Sequence, residues 1–112
     1  MTLQPSSVFK DAEAGIDNLA ATLARVRRSL HDVMQDYDVL LVPAADGEAP
    51  VGLNATGNAN HCLIWTSTHV PCMTLPLFKG PHGLPVGAQL IASRNNDRLL
   101  FEVARWVVAH YK

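Results

Sequence analysis

The chain has 112 residues, 48% of them hydrophobic and 17% charged, with a formal net charge of −1. That length supports one domain with a modest core, and the balance is globular and too apolar for a disordered chain. Nucleic-acid binding needs several phosphate-neutralising cations on one surface and is not expected. Arg25, Arg27 and Arg28 stand close together, but within a helix that has Asp32 and Asp36 nearby. No run approaches the ~18–20 apolar residues of a membrane span. The start, Met1-Thr2-Leu3-Gln4-Pro5, lacks the basic and apolar regions of a signal peptide. Two cysteines, Cys62 and Cys72, are too few for a disulfide framework, so a reducing, cytoplasmic setting with two free thiols is expected.

The first long element is a helix from Asp11 to Met34. Ile16, Leu19, Ala20, Leu23, Val26, Leu30, Val33 and Met34 recur at helical steps and form one apolar stripe. Gly15 weakens its first turn, and residues 1–10 are expected to be loosely ordered. Val39 to Val42 is a continuous apolar run stopped by Pro43, the pattern of a strand covered on both faces. Residues 43–57 form a long loop punctuated by Pro43, Gly47, Pro50, Gly52 and Gly57. So long a connection is commonly functional or rests against a partner.

A shorter helix is expected from Ala59 to Thr68, with Asn58 or Thr56 able to accept from an orphan N–H of its first turn. Cys72 to Leu75 reads as a second strand ended by Pro76, and Lys79-Gly80-Pro81-His82-Gly83 is turn chemistry. Val86 to Ala92 reads as a third strand. Asn95-Asn96-Asp97 is an N-cap cluster for a last helix, Asp97 to His110, with Leu99, Leu100, Val103, Trp106, Val107 and His110 on one face. The result is an α/β domain with a small mixed sheet of about three strands. The strand–helix–strand step implies a parallel pair joined by a crossover helix, and the Gly-rich link implies an antiparallel hairpin. Two sheet edges are left to seek partners.

Chemistry-bearing residues do not assemble readily. Cys62 has His61 beside it, but adjacent helical residues point about 100° apart, and both cysteines read as small buried hydrophobes. His69 and Cys72 have a metal-pair spacing but straddle a proline and an element boundary, so no metal site is expected. No phosphate-loop pattern occurs, and no cofactor is implied. Asp36 with Asp38, and Asp46 with Glu48, read as solvated turn residues. The adjacent serines Ser6 and Ser7 have no flanking glycines, and Lys10, Lys79 and Lys112 lie near no Gly-Ser cluster. A hydroxyl nucleophile needs a positioned base and oxyanion donors, and none is evident.

Five blocks recur in a telling order: Arg27-Arg28, Tyr37-Asp38-Val39-Leu40-Leu41-Val42-Pro43, Trp65-Thr66, Val70-Pro71-Cys72-Met73-Thr74-Leu75-Pro76 and Gly83-Leu84-Pro85-Val86-Gly87-Ala88-Gln89-Leu90. Together they resemble the C-terminal end of the amidase-signature hydrolases, a family that includes amidases and a component of glutamyl-tRNA amidotransferase. His69 and Cys72 depart from the glycine and alanine usual at those positions. The resemblance implies part of the amidase-signature fold. It also implies amide C–N hydrolysis by a Ser-Ser-Lys triad that lies in a part of the family's chain missing here, so no catalytic residue is assigned. It makes Trp65 the one candidate substrate-binding residue, with a core tryptophan as the alternative. The implied partner is the missing N-terminal part of an amidase, or a further copy in a homodimer or larger oligomer. A non-catalytic interaction module is the second reading.

Overall fold

A computed structural model describes residues 7–111. Helix α1 spans Ser7–Met34, so residues 7–10 are helical rather than loose; residues 1–6 lie outside the described residues. No glycine or proline stands between Ser7 and Gly15 to stop the helix propagating towards its N-terminus. Strand β1 is Leu40–Pro43, helix α2 Asn60–Thr68, strand β2 Cys72–Lys79, strand β3 Pro85–Ile91 and helix α3 Asp97–His110. No helix among the described residues is long and apolar enough to cross a membrane.

The protein is α/β, with a three-stranded sheet in the order β1-β3-β2. β3 is antiparallel to both neighbours. β1 and β2 therefore run in the same direction, as a crossover helix implies, but they are not a hydrogen-bonded pair: β3 lies between them. The hairpin of β2 and β3 forms as expected and closes through Gly80 N–H to Leu84 O at 2.9 Å, with Gly83 at φ 83°. β2 does not stop at Pro76. It runs on to Lys79 past an irregularity between Leu75 and Phe78, where a proline is tolerated because an edge strand with a bulge has no ladder bond to lose there.

Alternation along β3 feeds two cores. Leu90 and Ala92 pack with Leu75 on the sheet and with Leu100 and Ala104 of α3. Ile91 points the other way, onto Met34 of α1 and Trp65 of α2. β3 is thus covered on both faces, but β1 is not: Leu41 is 67% exposed. On that side β1 and α3 flank an open groove of about 640 Å³, with Leu41, Leu77, Phe78, Val103, Trp106 and Tyr111 among its walls.

The molecule is extended. Its radius of gyration is 19.2 Å, against roughly 13 Å for a compact chain of this length. Its accessible surface is 8764 Å², about 2,700 Å² more than a folded monomer of this mass normally shows. Much of α1 overhangs, leaving Ile16 and Leu19 exposed.

The two-sided burial of β3 makes a measurable contrast. Ile91→Ala should cost about 2–5 kcal/mol in urea unfolding, and Leu41→Ala less than about 1 kcal/mol. Equal losses would show that β1 is as covered as β3.

Candidate functional site

Three of the family-matching blocks supply the strands of the sheet, and the Trp65-Thr66 block lies on α2, which packs on Ile91 through Trp65. The long loop, residues 44–59, has no helix or strand, yet both its flanks are tied down. Ala44 N–H donates to Gly87 O at 3.1 Å, and Cys62 Sγ–H points at Ala44 O at 3.9 Å. Asp46 and Glu48, which the sequence presents as solvated, each clasp a histidine. Asp46 Oδ1 lies 2.7 Å from His61 Nε2. Glu48 accepts from the His82 backbone N–H at 2.7 Å and meets His82 Nδ1 at 3.1 Å. The Glu48 side chain is only 10% exposed and fills the space a Cβ would need at Gly80. The loop's tip is free: Val51 and Leu53 are fully exposed.

α2 starts at Asn60, one residue later than the sequence suggests, with Ala59 at its N-cap and no side-chain cap bond. Asn58 Oδ1 accepts the Asn60 N–H at 3.0 Å, satisfying one orphan donor of the first turn. The helix ends at His69, which is left-handed at φ 58°; its N–H and that of Val70 close onto Thr66 O and Trp65 O. Beside α2, Cys72 and Thr74 share the face of Ile91 and Gln89 by register and are exposed. Gly87 admits no side chain, because the Thr74 methyl and Ala44 Cβ occupy its space.

Trp65 lies in the core with Met34 and Ile91. Its indole Nε1–H is buried with no acceptor among the described residues, and Gln89 Oε1 is buried with no donor. Gln89 is itself only 3% exposed. An unmet buried polar group costs about 1–3 kcal/mol, so both positions carry a local penalty. The sequence passes over Gln89 because a polar residue in an apolar strand gives no sign of which face it occupies.

No nucleophile–base pair is present among the described residues. His61 is engaged by Asp46, while the Ser67 hydroxyl donates to Leu63 O at 2.8 Å. Ser93 Oγ accepts from Asn96 Nδ2 at 2.6 Å. Cys62 and Cys72 are both exposed free thiols, not the buried ones expected. They are exposed because Cys72 opens an edge strand and Cys62 lies in the first turn of a short helix, beneath the loop at Ala44. No three His, Cys, Asp or Glu side chains converge as metal ligands among the described residues.

Comparison with known proteins points to the same family. The family model for Amidase matches residues 7–101, and the chain belongs to the amidase family. It is 31% identical over 85 residues to human fatty-acid amide hydrolase 2, covering 73% of this chain and 16% of that protein. It is 30% identical over 81 residues to a mitochondrial glutamyl-tRNA(Gln) amidotransferase subunit of Drosophila pseudoobscura pseudoobscura, covering 64% of this chain and 16% of that protein. The Aedes aegypti counterpart is 26% identical over 87 residues, 70% of this chain and 18% of that protein. The chain therefore spans less than a fifth of the length of each of these relatives.

The orphan indole N–H separates two contributions of Trp65. Trp65→Phe should change stability by no more than about 1 kcal/mol, since the lost contact area is offset by removal of an unmet donor. Trp65→Ala should cost about 3–5 kcal/mol. A Phe variant as damaged as the Ala variant in urea unfolding would show that the N–H is bonded.

Proposed function

We propose that this chain is the C-terminal portion of an amidase-like amide hydrolase, lacks the Ser-Ser-Lys machinery and is inactive alone. The observation that carries the reading is a matched family segment that spans under a fifth of its relatives and, among the described residues, holds no serine with a positioned lysine or histidine. Catalysis by such a triad needs nucleophile, base and oxyanion donors together, each worth orders of magnitude in rate. Relatives named for amide hydrolysis and for amidotransfer make a carboxamide the substrate class. Trp65 is the residue we assign to the substrate side. The assignment rests on the family position of the Trp65-Thr66 block; the ring itself packs in the core with Met34 and Ile91. Two exposed free thiols fit a reducing, cytoplasmic setting.

The partner in this reading is the remainder of an amidase fold, packed on the uncovered apolar surface. The surplus of about 2,700 Å² is of the size obligate interfaces bury. The same surplus favours a second reading, a non-catalytic module that associates with its own copies.

The purified chain should hydrolyse neither aromatic nor aliphatic amides. Turnover that survives purification and disappears in Cys62→Ala or Cys72→Ala would replace this reading with a thiol enzyme. Light scattering at micromolar concentration should find a dimer or larger species, since burial at ~25 cal/mol per Å² outweighs the association cost over so large an area. A cooperatively folded monomer would show that the exposed surface needs no cover.

A further inference from the structure

On the far side of α2 from the long loop, a cavity of about 310 Å³ opens between the end of α1, the end of α2 and the turn from β3 to α3. Three arginines line it: Arg27 and Arg28 from α1, and Arg94 from the turn. Charges of one sign do not converge without a cost, and the neighbouring negative groups account for only part of the set. Arg27 is committed. Its Nε and Nη2 donate to Ser67 O at 3.2 and 3.0 Å and so neutralise the carbonyl end of α2. Asp32 is the one carboxylate in the wall, and it forms no ion pair among the described residues. Neither Arg28 nor Arg94 has an ion-pair partner there.

We propose that this cavity binds the carboxylate of a small organic acid with an apolar tail. With Asp32 offsetting one of the three arginine charges and Arg27 held on Ser67 O, Arg28 and Arg94 are the two guanidinium groups free to meet an anion. The guanidinium fork recognises a carboxylate in two parallel hydrogen bonds. Ser93 supplies a further donor: its oxygen already accepts from Asn96, so its own hydrogen is free. Met34 and Val70 give the cavity an apolar wall, which inorganic phosphate cannot use and an alkyl chain can. The cavity adjoins the Trp65 cluster, since Met34 belongs to that cluster and Val70 packs against it, but its anion-binding groups need no part of the amide-hydrolase reading.

Calorimetric titration of the full 112-residue chain with hexanoate, acetate and inorganic phosphate at low salt tests this. Hexanoate should bind saturably and about tenfold more tightly than acetate or phosphate. Arg28→Ala and Arg94→Ala, both at exposed side chains, should each weaken hexanoate about tenfold. Asp32→Asn should tighten it, a direction that a purely structural defect would not produce. Arg25→Ala, on the same helix but outside the cavity, should leave it unchanged. Absence of saturable hexanoate binding would overturn the proposal. So would phosphate binding as tightly as hexanoate, or Arg25→Ala weakening binding as much as Arg28→Ala does.

Discussion

Everything in this fold leans on one strand. From Ala88 to Ala92 every residue is buried, and no other stretch of the described residues is buried so continuously. β3 supplies the hydrogen-bonding edge for β1 and for β2, and its two faces carry the two clusters that hold α1, α2 and α3. A larger sheet would share that duty among several inner strands. Here β1 and β2 are both edges, so burial falls off within one strand of the centre. That accounts for an exposed Leu41 and an overhanging α1 in a chain that is nearly half hydrophobic. A helix standing free of tertiary contacts gains little beyond its own propensity, so the exposed stretch of α1 from Gly15 to Ala20 contributes little to this core.

Periodicity made most of the elements legible. The last helix was readable to the residue, because Asn95-Asn96-Asp97 marks its start and its apolar face is continuous. The third strand was readable within one residue. What the pattern could not carry was pairing. A strand–helix–strand order sets direction, and β1 and β2 do run the same way, but adjacency depends on where a later hairpin folds back. β3 inserts between them because its Gln89-to-Ile91 run is the most deeply buried and takes the central place. Pro76 misled for a related reason: a proline bars a central strand but not a bulged edge, and edge position is a tertiary property.

The site was less legible than the fold. The family blocks pointed to Trp65 and to the Gly83–Leu90 stretch, and the structure brings Trp65 onto Ile91, one residue beyond that stretch. It also brings groups that no local pattern marks. Glu48 reaches His82 across 34 residues, and Arg94 joins Arg27 and Arg28 from a turn distant in the chain. Such meetings follow from chain topology, so a single sequence without the fold contains no signal for them. Gln89 is the instructive case. Its place in the block was visible, but that its carbonyl oxygen is buried and unmet is a fact about what surrounds it.

The exposed surfaces differ in what would cover them. Sheet edges invite strand addition, but both edges here carry prolines: Pro43 ends β1 and Pro76 interrupts β2. Each removes an N–H that an added strand would need, the device by which natural sheets blunt their edges. The groove beside α3 has no such protection. Its walls are Leu41, Leu77 and Val103 with the rings of Phe78, Trp106 and Tyr111, and Phe78 and Tyr111 already meet edge to face at 5.5 Å. Side-chain burial there requires no backbone partner and no particular register, and its strength scales with area. The balance of these two terms favours contact through the apolar face over extension of the sheet.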